Sequence, residues 1–300
     1  MSGVGYHPTM NSTAIEENSA ALAIETSGAS GSVAIGRGRN LLGAQRFTRP
    51  RAHAAEFLPS IETLCREHGI KPAEIAWVFV SAGPGSFTGL RIGITAARTL
   101  ALAVGARIVA LPTLEVIAQN ALDLAEPPPR VAVMLDAKRA RVYTATFSLV
   151  AQHDRNNGSR VACPSPASSG AGMCPEPHGG AALGHATRRI DRVDAPGSDT
   201  TEFKRYVAVD EPREADPATY LAAQGPDCAV MGEGVLYHRA AVSGSGLRVL
   251  LEELFPPKVE TVYRLGVERA AKGMVVPARD LIPVYIRPPE AEEVWAAKHG

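Results

Sequence analysis

The sequence predicts an α/β protein whose mixed sheets are flanked by helices. Two observations predict it. Three short apolar runs near the start are divided by glycine turns, and after them strand-like and helix-like segments alternate around a glycine-rich string at 78–105, VFVSAGPGSFTGLRIGITAARTLALAVG. Tight turns imply an antiparallel meander, whereas strand–helix alternation implies right-handed crossovers and parallel pairing.

The three runs are Ala21–Glu25 (ALAIE), Ser32–Ile35 (SVAI) and Leu41–Phe47 (LLGAQRF). Residues 52–68 then place Phe57, Ile61 and Leu64 on one face and stop at Gly69, which predicts a helix. Pro59 lacks an amide donor, so the helix is expected to kink there or to start near it. Ile75–Val80 reads as a buried strand, Leu90–Ala103 as a helix ended by a left-handed Gly105, and Arg107–Ala110 as a strand. Three antiparallel strands followed by helix, strand, helix and strand is the order of the ribonuclease H-type, actin-like domain. Helix 90–103 carries an apolar face, Leu90-Ile94-Ala97-Ala101, and a polar seam, Arg91-Thr95-Arg98. Its small residues Gly93, Ala96, Ala97 and Ala101 let another helix approach closely, which suggests a pairing surface.

A second lobe begins after this. Thr113–Ala125 reads as a helix ended by three prolines, and Val131–Leu135 and Arg141–Phe147 as strands around the polar turn Asp136–Arg139. Tyr206–Val209 resumes the structure, Pro217–Ala223 is a helix, Cys228–Met231 a strand ending at Gly232-Glu233-Gly234, and Glu260–Lys272 a helix. Arg248–Phe255 fits neither period. The expected organisation is therefore a leader at 1–20, a first lobe at 21–112 and a second at 113–289, with the terminal helix within 290–300 returning to the first lobe. Residues 152–200 are crowded with Gly, Ser, Pro and Ala and bury too little to order themselves, which predicts a flexible insertion.

Composition narrows the function classes. Of 300 residues 45% are hydrophobic, enough for a sizeable core, and 31 Lys and Arg balance 31 Asp and Glu, so overall charge announces neither a nucleic-acid nor a membrane-surface binder. The four cysteines form no C-x-x-C pair, which suits a reducing compartment. The first twenty residues lack the basic start and apolar run of a signal peptide and read as a disordered leader, and Leu100–Leu111 is too short and too broken to span a bilayer. A cytoplasmic location without membrane contact is the expectation.

The glycine loop is neither of the common phosphate binders. Leu90 and Arg91 stand where a P-loop needs Lys and Ser or Thr, and Thr88 replaces the last glycine of a dinucleotide fingerprint. The candidate phosphate-type turns are Glu25 and Ser27; Gly83, Gly85, Ser86, Thr88 and Gly89; Asp136; and Gly232 and Gly234. Read as a turn-former, Asp136 bonds the backbone near Lys138, and Lys138, Arg139 and Arg141 make a basic hairpin tip. No two of the eight histidines share a helix face for metal binding, and Ser86 has no evident basic partner, so neither zinc nor serine proteolysis is indicated.

Taken in order, Ile24-Glu25-Thr26-Ser27, Gly83-Pro84-Gly85-Ser86-Phe87-Thr88-Gly89-Leu90-Arg91-Ile92-Gly93, Thr113-Leu114-Glu115, Asp136-Ala137-Lys138-Arg139 with Val142-Tyr143, Gly232-Glu233-Gly234 and Val284-Tyr285-Ile286-Arg287-Pro288 resemble the TsaB/YeaZ family. The match spans most of residues 21–298; Glu25 stands where that family usually has Asp. The resemblance implies a two-lobed actin-like fold and a non-catalytic scaffold subunit in tRNA threonylcarbamoyladenosine formation. It implies pairing with a TsaD paralogue, with the ATPase TsaE joining, or homodimerisation in their absence. Contact with tRNA is then indirect, and no cofactor belongs to this chain, ATP and metal being expected on the partner subunits. Pairing through first-lobe helices places Phe57, Ile61, Leu64, Leu90, Ile94, Ala97, Arg98 and Ala101 at the interface. The alternative is a catalytically active actin-type phosphotransferase using Glu25, Asp136 and Gly232-Gly234 around ATP.

Overall fold

The computed structural model describes residues 15–48, 53–153, 202–286 and 295. Residues up to Val150 and from Lys204 onward form one compact unit that holds both sheets, and a second unit, Ala151–Phe203, is described only at its ends. The expected insertion at 152–200 and terminal helix at 291–298 fall almost wholly outside the described residues. The expected leader is described from Ile15, and its Ser19 carbonyl accepts from the Gly38 amide at 2.9 Å just before the first strand opens at Ala20.

The first sheet contains β1 (Ala20–Glu25), β2 (Ser32–Arg37), β3 (Asn40–Arg46), β4 (Ile75–Gly83) and β5 (Arg107–Pro112), in the order β3-β2-β1-β4-β5. As the turns implied, β1, β2 and β3 are antiparallel, and as the alternation implied, β4 is parallel to both β1 and β5. Both faces of β1 are covered, which is why it reads as an unbroken apolar run. Leu22 and Ile24 pack under α1 (His53–Glu67) and α2 (Phe87–Val104). Ala21 and Ala23 pack with Trp77 and Phe79 under a late helix, Val259–Ala271. The late helix lies close to this face: a Cβ on Gly266 would sit 2.2 Å from Phe79 Cγ. α1 runs uninterrupted through Pro59, so the alternative of a start near that residue does not hold.

α2 begins three residues earlier than its apolar period suggested, because Ser86 caps it, Oγ accepting from Gly89 N at 3.3 Å. It ends as expected at Gly105, φ 74°. Length and composition alone would let α2 cross a membrane, yet its apolar stripe packs on the chain's own sheet. The same packing accounts for most of the residues expected at the interface. Phe57, Ile61, Leu64, Leu90, Ile94, Ala97 and Ala101 are all buried in this chain, and of the eight only Arg98 is exposed. An apolar stripe marks the face that leaves water, and here the sheet beneath it provides the cover. The outward face carries Leu58, Arg91, Thr95, Arg98 and Leu102 instead.

The second sheet runs β11-β10-β6-β7-β8, with β6 (Arg130–Asp136), β7 (Val142–His153), β8 (Glu202–Ala208), β10 (Cys228–Met231) and β11 (Arg248–Val249); β9 (Arg213–Ala215) pairs with β7. β10 is parallel to β6 and to β11, while β6 and β7 are antiparallel. Its helices are α3 (Thr113–Gln119), continued by a 3-10 turn over Asn120–Asp123, and α4 (Pro217–Ala222), α5 (Gly234–Tyr237) and α6 (Arg239–Ser245); the late helix Val259–Ala271 is α7.

Candidate functional site

Each predicted turn lies at the C-terminal end of a strand in parallel pairing: Glu25–Gly28 after β1, Gly83–Gly89 after β4, Asp136 after β6 and Gly232–Gly234 after β10. Ligands of open α/β sheets bind at such ends.

In the first sheet the two turns are joined. The Ser86 amide donates to the Ser27 carbonyl at 2.7 Å, and a Cβ on Gly85 would lie only 2.4 Å from that oxygen. Gly93 rests against Thr26, where a Cβ would be 2.3 Å from Oγ1. Glu25, Ser27, Gly83, Gly85, Ser86 and Gly89 therefore come together, while Thr88 is exposed on the first turn of α2. The Glu25 side chain is fully buried, and its carboxylate accepts from Ser27 N at 2.6 Å, from Ser27 Oγ and from Ser81 Oγ. Ser81 was not foreseen; a lone hydroxyl inside the buried run VFVSAG is the signal that marks it. Ser86 has a helix-capping role, which explains a serine in this turn without nucleophilic chemistry.

Burial pushes the Glu25 carboxyl above its ordinary 4.5, with the bonds from Ser27 and Ser81 opposing. The folded chain thus favours the neutral form more than the unfolded chain does. Its contribution to stability is full below the unfolded value and falls as pH rises through the raised one. Glu25→Gln keeps the shape and removes the titration. Urea unfolding over a pH series is expected to show wild type losing stability relative to Glu25→Gln on the alkaline side of 4.5. Parallel pH profiles would defeat this account. Glu25→Ala leaves Ser27 and Ser81 unpaired and is expected to cost about 1–3 kcal/mol.

In the second sheet Asp136 Oδ1 accepts from Lys138 N at 3.2 Å and Oδ2 from Lys138 Nζ at 2.7 Å, so the aspartate forms the turn as expected. The tip winds through three consecutive non-glycine residues in the left-handed region, Lys138 (φ 65°), Arg139 (φ 51°) and Ala140 (φ 58°). Such a run costs about 1–2 kcal/mol per residue, and the Asp136 bonds to Lys138 offset part of it. The turn after β10 is pressed onto β6: Gly232 has φ 102°, and a Cβ there would meet Met134 O at 2.3 Å. This brings Glu233 and His238 beside Asp136, with His238 Nε2 3.4 Å from Oδ1. Burial works to raise the Asp136 carboxyl, but Lys138 and His238 together hold it below its ordinary range. Burial and the neighbouring Asp136 push Glu233 up. The two carboxyls are thus driven apart. Sequence reading had named the Gly232–Gly234 turn but neither Glu233 nor His238 as a neighbour of Asp136; nothing in a local pattern pairs residues a hundred positions apart.

The basic tip is largely neutralised, Lys138 by Asp136 and Arg141 by Glu214 at 3.2 Å. Among the described residues no group of three His, Cys, Asp or Glu side chains is placed to hold a metal ion. A cavity of 260 Å³ lined by Pro127, Pro128, Pro129, Asp227, Cys228 and Arg248 lies at the other end of β6 and β10. Burial pushes its Cys228 thiol up to about 11, which makes that sulfur a poor nucleophile.

Residues 48–162 match the family described as "TsaD: tRNA N6-adenosine threonylcarbamoyltransferase". The tRNA threonylcarbamoyladenosine biosynthesis protein TsaB of Bacillus subtilis is 30% identical over 126 residues, 42% of this chain and 54% of that protein. Its Escherichia coli counterpart is 35% identical over 107 residues, 36% and 44%. The chain spans about half the length of the curated relatives it matches. Among solved structures, YeaZ from Pseudomonas aeruginosa superposes with a TM-score of 0.62 at 22% identity, covering 89% of this chain and 99% of that one, which shows the fold.

Proposed function

We propose, from a likeness to the TsaB/YeaZ family that these matches bear out, that the chain is the scaffold subunit of a tRNA threonylcarbamoyladenosine-forming complex. It pairs with a TsaD-type protein, TsaE joins, and the complex transfers the threonylcarbamoyl group to the adenosine beside the anticodon. The chain itself supplies no chemistry, and ATP and metal are held by the partners. The observation that carries the non-catalytic part is Glu25: the one carboxylate of the first turn is fully buried and bonded to Ser27 and Ser81, with none of it turned outward to orient a metal-bound nucleotide.

Pairing uses the outward face of the first-sheet helices, where Leu58 is 66% and Leu102 78% exposed beside Arg98. Size exclusion with light scattering, on this chain alone and mixed with the TsaD paralogue of the same genome, tests the reading when followed by a threonylcarbamoyl-transfer assay. A heteromeric peak with activity absent from either protein alone is expected. Leu102→Glu is expected to weaken that pairing by about tenfold or more with the melting temperature unchanged. No association, together with ATP turnover by this chain alone, would replace the scaffold by the phosphotransferase alternative.

A further inference from the structure

The chain passes between its two sheets through α3 and its 3-10 turn, and returns through α7. α3 belongs to both cores: Leu114, Ile117 and Ala118 pack in that of the second sheet, Val116 in the one that α7 covers. Its polar residues bond to the elements on either side of it. Glu115 Oε1 accepts from Arg205 of β8 at 2.6 Å, and Oε2 accepts from Arg269 of α7. Arg269 also donates to Ala110 O at 3.0 Å, and Arg205 lies 3.5 Å from Glu268. The Gln119 amide treats Tyr206 of β8 as a neighbouring strand would, Nε2 donating to its carbonyl at 2.7 Å and Oε1 accepting from its N–H at 3.1 Å. Asn120 Nδ2 donates to Leu254 O and Pro256 O at 3.0 and 2.9 Å, while its Oδ1 accepts from Thr261 of α7 at 3.0 Å. Asp123 with Lys258 adds an exposed pair of little weight.

We infer that Glu115, Gln119 and Asn120 lock the two sheets into one rigid body, so that the chain does not open and close about its α3/α7 crossing. A hinge is a few residues that absorb backbone rotation without losing partners. Here any rotation of β8 against α7 breaks bonds that are buried, since Gln119 and Asn120 are 1% and Glu115 9% exposed. It would also separate one carboxylate from two guanidiniums whose Nε atoms are already buried without a hydrogen-bond partner. Leaving such charges unpaired is far more costly than breaking an exposed pair. Glu115 is the positioning residue, because its one carboxylate bonds both Arg205 of β8 and Arg269 of α7, the longer Arg205–Glu268 contact at 3.5 Å being the other link between them. The inference stands whether or not the scaffold reading does, since it concerns motion and not partners.

The test places spin labels at Glu62→Cys on α1 and Arg239→Cys on α6, both exposed, in a full-length background in which Cys163 and Cys174 are serine. Cys65 and Cys228 are buried and left in place. Pulsed-dipolar distances are then measured with and without Mg-ATP. One narrow distribution, unmoved by the nucleotide, is expected for the parent, and a distribution broadened by roughly twofold or more for Glu115→Gln and for Gln119→Ala. Circular dichroism establishes that each variant is folded, and if Glu115→Gln is not, Gln119→Ala carries the comparison. A broad or nucleotide-shifted distribution in the parent overturns the lock. So does a folded Gln119→Ala variant with the parent's distribution.

Discussion

Ala97→Arg is expected to abolish the cooperative unfolding transition of this chain. Ala97 is fully buried in α2, in the core where Leu22, Ile24, Phe57 and Ile61 meet. A guanidinium there has neither room nor a carboxylate; overpacking and an unpaired buried charge together amount to more than about 4 kcal/mol. A domain of this kind is stable by only about 5–15 kcal/mol. Loss of pairing in this variant would therefore report a damaged fold, not a damaged interface. One residue on, Arg98→Glu is exposed and is expected to leave the melting temperature within about a degree or two while changing pairing. Circular dichroism melts of the two variants separate the cases. An Ala97→Arg protein that melts like wild type would mean that the apolar stripe faces outward after all.

The second large effect is at Gly85. A methyl group there would stand 2.4 Å from the Ser27 carbonyl and 2.9 Å from Ser27 Cβ, closer than any side chain tolerates. Backbone must move, because the obstacle is not the end of a flexible side chain. The movement parts Ser86 N from Ser27 O, unseats the cap of α2 and disturbs the Glu25 carboxylate bound to Ser27. Gly85→Ala is expected to cost about 2–3 kcal/mol, read from the urea midpoint. Gly244→Ala, where an added Cβ meets nothing within 4 Å, is the matched control and is expected to be neutral or slightly stabilising. Equal midpoints for the two variants would remove the case for a joined turn.

Local signals made much of this fold legible in the sequence. Gly105 as a left-handed cap, the strand Cys228–Met231 and the three-strand meander follow from rules that act within a few residues. α5 and α6 escaped because four and seven residues hold too few turns for a period to emerge, and their Gly and Ser content argues against helix. The turns of the candidate site were legible as glycine punctuation; their contents were not. Glu25 finds Ser81 fifty-six residues away, and Glu115 finds Arg269 at a separation of 154. Such pairs exist only once the sheets are assembled. The burial of the residues expected at the interface has a different origin: periodicity told which face of α2 is apolar, but it carries no information about whether the cover comes from the same chain.

α7 covers the face of the first sheet that carries Trp77 and Phe79, yet it is encoded near the end of the chain. Phe79 leaves the ribosome roughly 180 residues ahead of Tyr263, the ring against which it packs at 5.6 Å. At translation rates of about 5–20 residues per second the nascent sheet waits about 10–40 seconds with Trp77 and Phe79 uncovered. During that interval it offers a binding surface to chaperones and to neighbouring nascent chains. The exposure follows from the order in which the elements are synthesised, however stable the finished molecule is.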